Sequence, residues 1–212
     1  MVNLILDCSC GMSVFVVDNE KIYSKIDNVQ NKHSDELLLV VDGLLNDAGK
    51  TINDVDNICV CIGPGSFTGV RVAISLAKGL AVGLNAKVFT LSNFDIFNVT
   101  DNINSVLVLD GFSNFVYVRK FLNGEKFDEC VEIEKLKSFV LKNNSLVCVS
   151  NEKTQSLLKK HEIQSNICKN NVISAFNEII AKGLNTDLNK IYPAYLRASQ
   201  AEIEREKKQK NG

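Results

Sequence analysis

The sequence predicts an α/β protein of two lobes, each a mixed β-sheet flanked by helices, with the second lobe reduced. Two apolar strands that end in aspartate anchor this reading, residues 2–7 (VNLILD) and residues 106–110 (VLVLD). Each opens the same series of segments, extended at first and then alternately helical and extended. The second series is shorter and weaker, and such a duplication implies two lobes. A chain of 212 residues, 45% hydrophobic and 23% charged, suits one large domain or two small lobes with a proper core. The boundaries fall at 1–100 for the first lobe, 101–198 for the second and 199–212 for a charged tail.

In the first lobe, residues 2–7 form a strand, a short turn containing Gly11 follows, and residues 12–17 return. Residues 20–27 complete a three-strand meander of ordinary strand lengths. Ser34 or Asp35 caps a helix that runs to about Ala48 and is closed by Gly49. Residues 51–55 make a short helical or turn segment, and residues 57–62 are apolar and β-branched enough for a buried strand. A helix over 68–83 follows a glycine-rich turn, residues 87–91 form a strand, and Ser92 caps a helix to about Val99. The second lobe has strands at 106–110, 115–122, 126–133 and 146–149, and helices at 134–141, 154–161 and 175–183. The tail, AEIEREKKQKNG, reads as a solvated, fraying helix; its interleaved glutamates weaken it as a basic arm for nucleic acid.

A formal net charge of −1 gives no global attraction to nucleic acid or to an anionic membrane. No apolar run reads as long enough to span a bilayer, and the N-terminus lacks the pattern of a signal peptide, so a cytoplasmic protein is expected. The seven cysteines include no C-x-x-C pair, and only His33 and His161 could add imidazoles, so no metal site is expected. Cys59 and Cys61 share one face of a strand, where a reduced thiol packs as a small hydrophobe.

The turn Gly63-Pro64-Gly65-Ser66-Phe67-Thr68-Gly69 raises the question of a phosphate cradle. It has no Gly-Lys-Ser/Thr, and its third glycine comes one residue late for a dinucleotide fingerprint. Helix-start N–H groups still bind anions. The simpler reading is that the glycines permit a tight turn while Thr68 caps the helix.

The helix itself is more telling. Val70, Ala73, Ile74, Ala77, Leu80, Ala81 and Leu84 form its core face. The opposite face carries Val72, Ser75, Leu76, Gly79 and Gly83, with Arg71 and Lys78 as the only charges. Gly79 costs about 1 kcal/mol of helix propensity relative to alanine, and close approach of another backbone is the compensation expected. The preceding helix likewise places Leu39 and Gly43 on its far side, near Asp42 and Asn46. Leu39, Gly43, Val72, Ser75, Leu76, Gly79 and Gly83 are therefore expected to form an apolar docking face for a partner protein.

With these residues in view, the run from Gly63 to Arg71 (GPGSFTGVR) resembles the signature of the TsaB family, bacterial proteins of tRNA threonylcarbamoyladenosine synthesis. Leu6-Asp7-Cys8-Ser9-Cys10 followed by Ser13-Val14 is similar to the family's opening strand and turn. His33-Ser34-Asp35-Glu36-Leu37-Leu38 resembles its helix start, and Tyr192-Pro193-Ala194-Tyr195-Leu196-Arg197 its closing segment. The resemblance implies a two-lobed actin-like (ribonuclease-H-like) fold. It implies a non-catalytic subunit that activates TsaD, the enzyme that threonylcarbamoylates N6 of adenosine 37 in tRNAs reading codons that begin with A. The two helices flanking the glycine-turn strand would contact TsaD, or a second copy in a homodimer. TsaE would join the assembly, and tRNA would be reached only through it. No cofactor is expected on this chain alone, although an adenine nucleotide at the junction with TsaD remains open. One departure is that Asp110-Gly111-Phe112 stands where the family often has Asp-Ala-Arg.

Two other classes compete. An ATP-dependent phosphotransferase or ATPase of this fold would use Asp7 and Ser9 near metal and phosphate, with Asp110 as counterpart to Asp7, but no phosphate lysine accompanies them. A metallopeptidase needs three positioned ligands, which two distant histidines do not supply.

Overall fold

The computed structural model describes residues 1–27, 33–97, 99 and 104–196, with nothing said of the side chains of 33–35. Two compact units emerge. One comprises residues 1–98 with 170–194, and the other is built on residues 99–169.

The first unit runs β1 (Val2–Asp7), β2 (Met12–Asp18), β3 (Lys21–Asp27), α1 (His33–Asp47), β4 (Val55–Cys61), α2 (Phe67–Leu84) and β5 (Lys87–Leu91). Its sheet has the order β3-β2-β1-β4-β5. The meander β1-β2-β3 is antiparallel, whereas β1-β4 and β4-β5 are parallel. Parallel neighbours need a crossover, and α1 and α2 supply it, so the central strands are buried on both faces and read as continuous apolar runs. Leu4, Leu6, Val14, Ile58 and Val60 share one core with residues of α1 and α2. Ile5, Val17, Cys59, Cys61, Phe89 and Leu91 form a second core on the other face, with Val172 and Phe176 of α5 (Val172–Ala181).

The second unit runs β6 (Ser105–Leu109), β7 (Phe115–Leu122), β8 (Glu125–Glu132), α3 (Ile133–Asn143), β9 (Leu146–Val149), α4 (Glu152–Lys160) and β10 (Asn166–Ile167). Its sheet order, β10-β9-β6-β7-β8, is the first sheet's topology again, with β6 in the place of β1. Both antiparallel and both parallel pairings recur. β7 and β8 are joined by Asn123-Gly124, with φ of 52° and 81°, the left-handed pair that a two-residue hairpin turn demands.

Several expectations require correction. Residues 170–194 belong to the first unit rather than to the second lobe. The reason is long-range: α5 packs its apolar face on the first sheet, the Thr186 N–H donates to the Val88 carbonyl and the Ala194 N–H to the Ile62 carbonyl. The helix expected after Ser92 is a series of turns instead. The Ser92 N–H bonds the Asp95 carboxylate at 3.0 Å and the Phe94 N–H bonds Ser92 Oγ at 3.2 Å, which closes a local loop in place of a cap. α2 starts one residue earlier than expected and is capped by Ser66, whose side chain accepts from the Gly69 N–H, and not by Thr68. Strand β10 went unforeseen. With 18 residues, α2 is also long and apolar enough to cross a membrane, contrary to the sequence reading, but it buries Val70, Ala73, Ile74, Ala77 and Ala81 in the core as a packed helix does. α1 begins at His33, so Ser34 and Asp35 fall inside its first turn and not at the cap position expected of them. The tail at 199–212 lies outside the described residues.

Candidate functional site

Two features converge on α2, the glycine turn that launches it and the face it turns away from the sheet. β4 ends at Cys61, and the Ile62 N–H still pairs with the Leu91 carbonyl at 2.8 Å. Gly63 then takes φ of +93°, a conformation glycine adopts without steric cost, and its peptide bond to Pro64 is cis. The turn folds over the β1–β2 turn. The Ser66 N–H donates to the Ser9 carbonyl at 2.7 Å. Buried Asn93 staples the two, its amide donating to Ser9 Oγ at 3.0 Å and to the Pro64 carbonyl at 3.1 Å.

This close approach explains the glycines. A Cβ on Gly65 would lie far inside contact distance of the Ser9 carbonyl, and one on Gly69 would do the same to the Cys8 carbonyl. Here backbone meets backbone, with no room for a side chain between them. Within the loop, Ser66 caps Gly69, and its carbonyl receives the Val70 N–H at 3.0 Å. Phe67 and Arg71 pair on the flank, with the guanidinium 3.6 Å above the ring centroid.

Asp7, the candidate phosphate or metal carboxylate, accepts the Ser9 N–H at 2.8 Å and so orients the turn that follows β1. Burial pushes the Cys8 thiol up to about 12, and the charge of Asp7 adds to that. Complete burial pushes the Cys59 and Cys61 thiols up as well, again with Asp7 contributing. These thiols are protonated packing groups. Among the described residues, no three His, Cys, Asp or Glu side chains stand together as a metal site. Asp110, the counterpart carboxylate, is held by Lys153 at 2.6 Å. Beside it, a Cβ on Gly111 would strike the Phe115 carbonyl, so this backbone admits no alanine where the family often has one. Steady-state ATPase assays, with and without magnesium, are expected to show no turnover that Asp7→Ala removes; loss of a robust rate on that substitution would make the chain an enzyme.

The second feature is the surface of the helix pair. α1 and α2 pack against each other and against the sheet. Leu39 is 71% exposed, and Gly43, Ser75, Gly79 and Gly83 are exposed as well. Nothing lies within 4 Å of a Cβ on Gly43, Gly79 or Gly83. Val72 and Leu76, expected on the far face, are half-buried and packed against the core, because that side of the helix is shared with its neighbours. Sequence reasoning missed Val82, 73% exposed, and Leu38, 52% exposed. Val82 could have been found, since it follows Ser75 by seven residues and so lies on the same side of the helix. The result is an open surface of branched apolar side chains beside bare glycine backbone.

Comparisons with known proteins bear on these features. Residues 21–140, more than half of the chain, match the family model for tRNA N6-adenosine threonylcarbamoyltransferase, TsaD. The chain is similar to the tRNA threonylcarbamoyladenosine biosynthesis protein TsaB of Haemophilus influenzae, with 37% identity over 93 residues, covering 42% of this chain and 39% of that protein. A TsaB of Buchnera aphidicola is 32% identical over 84 residues, covering 40% of each. The chain thus spans about two-fifths of the length of these curated relatives. Among solved structures, YeaZ from Pseudomonas aeruginosa superposes with a TM-score of 0.73 at 22% identity, over 92% of this chain and 99% of that one. That likeness establishes the shared two-sheet fold.

Proposed function

The chain belongs to the TsaD family of tRNA N6-adenosine threonylcarbamoyltransferases, on its TsaB branch, and from that premise we propose that it serves as the non-catalytic scaffold and activating subunit of a TsaD enzyme. In this reading the pair forms threonylcarbamoyladenosine at position 37 of tRNAs that read codons beginning with A, in the cytoplasm. TsaE joins the assembly, tRNA is engaged through the complex, and any adenine nucleotide sits at the junction with TsaD rather than on this chain.

The observation that carries the proposal is the uncovered α1–α2 face, where Leu39 and Val82 stand exposed beside Gly43, Gly79 and Gly83. Large exposed apolar side chains next to unfilled glycines give a partner helix both apolar contact and room for close backbone approach. The glycine turn, packed backbone to backbone on the β1–β2 turn, supports the non-catalytic half of the proposal. Reconstitution tests it. A purified TsaD-family enzyme, supplied with threonylcarbamoyl-adenylate and tRNA, is expected to modify adenosine substantially faster when this chain is added. Equal rates with and without it would remove the activating role.

A further inference from the structure

Val147 and Val149 of β9 belong to the core of the second unit, so strand alternation sets Cys148, between them, on the opposite face of the sheet. β10 lies along β9 in parallel, with Asn166 opposite Cys148 and Ile167 opposite Val149. The pairing carries on past the end of β10, where the Cys168 N–H donates to the Val149 carbonyl at 2.9 Å. Cys168 follows Asn166 by two residues and so returns to the face that carries Cys148, and the two thiols meet in a hydrogen bond. Both are half-buried, and Cys168 stands between exposed Ile167 and Lys169, within reach of a small solute.

The buried thiols Cys8, Cys59 and Cys61 are packing groups; this pair is placed for chemistry. A disulfide needs its sulfurs about 2 Å apart and Cα atoms within about 7 Å. Two cysteines on a diagonal between neighbouring strands need one strand to slide a little before that bond closes. β10 is the edge of its sheet and only two residues long, so little pairing resists the slide. Burial and the neighbouring Cys148 push the Cys168 thiol up to about 12, so Cys168 holds its proton against Cys148. The thiolate is the nucleophile in exchange, and the first attack therefore falls to Cys148.

We propose that Cys148 and Cys168 form a reversible disulfide by exchange with a low-molecular-weight disulfide such as oxidised glutathione, tying β10 to β9 around α4. The Cys148 thiolate attacks one glutathione sulfur, breaks the glutathione S–S bond and releases one glutathione thiolate. Cys168 then gives up its proton, attacks the Cys148 sulfur of the mixed disulfide and expels the second glutathione. The two protons lost by the cysteines end on the two glutathione thiols, so two protein thiols are oxidised and one small disulfide is reduced. None of these residues belongs to the α1–α2 face, so the bond and the docking of TsaD are tested apart.

Equilibration of the folded full chain in glutathione redox buffers, followed by acid quenching, alkylation and peptide mapping, reads the bond directly. A peptide pair joined through positions 148 and 168 is expected, and reduced glutathione should reverse it. Its equilibrium constant should exceed that of the same link in the urea-unfolded chain by about tenfold or more, about 30 mV in potential. Cys168→Ser should stop at a glutathione adduct on Cys148, whereas Cys10→Ser, which removes an exposed thiol of the first unit, should leave the link intact. Glutathione adducts without the 148–168 link overturn the proposal. So does a link no more favourable in the folded chain than in the unfolded one, or a disulfide that joins either cysteine chiefly to another position.

Discussion

Gly65→Val is expected to lower the unfolding temperature by about 6–12 °C, because about 3 kcal/mol of overpacking strain translates at about 2–4 °C per kcal/mol in a chain of this size. The strain has a definite origin. The first atom of the new side chain would overlap the Ser9 carbonyl, and that carbonyl is fixed by the Ser66 N–H. A flexible side-chain end could swing aside, but a backbone carbonyl between β1 and β2 cannot move without disturbing the Asn93 staple and the start of α2. Glycines elsewhere provide the contrast. Gly43 and Gly79 have open space around a Cβ and no positive φ, so alanine at either is expected to be neutral or to stabilise by up to about 1 kcal/mol through helix propensity. Thermal unfolding of the three variants separates the two kinds of glycine. Wild-type stability in Gly65→Val, accompanied by loss of a measurable nucleotide site, would return the turn to the role of phosphate cradle.

The same contrast shows what the sequence made legible. β5, β9 and β1 were readable to the residue, because 87–91, 146–149 and 2–7 are apolar runs bounded by turn residues. The exposed glycines of α2 were readable too, since helical periodicity alone sets Ser75 and Gly79 opposite Ala73 and Ala77. The contact of Gly65 with Ser9 was not, because it joins segments far apart in the chain and depends on the backbones touching. Ser92 shows a second limit. A serine with an aspartate three residues on is a helix-start pattern, yet here the same hydrogen bonds close a turn, and nothing local distinguishes the outcomes. α5 shows a third. Its amphipathic pattern marks it as a helix, but which sheet it covers is decided by Phe176 meeting Phe89 edge to face at 6.2 Å, a pairing no window of sequence contains.

Gly79→Leu is expected to weaken the complex with TsaD by about five- to 150-fold while leaving this chain folded. The position is on the exposed side of α2, and beyond its own stretch of helix nothing lies within 4 Å of a Cβ there, so a side chain starts from open space in the isolated protein. Leucine is also the better helix former by close to 1 kcal/mol, so local stability should rise rather than fall. In the complex, the gain comes from burying Leu39, Val82 and the bare helix backbone, at about 25 cal/mol per Å² of apolar surface before the costs of association. That gain requires a partner helix to reach the glycine backbone. A leucine there holds it off, and overpacking of about 1–3 kcal/mol corresponds to a loss of about five- to 150-fold in affinity. Gly79→Ala, adding one methyl, should fall between wild type and leucine. Circular dichroism checks the fold, sedimentation with purified TsaD checks assembly, and the threonylcarbamoylation rate should fall in step with complex formation. A folded Gly79→Leu protein that binds TsaD with wild-type affinity would place the docking surface elsewhere and leave the open glycines of α2 without a function.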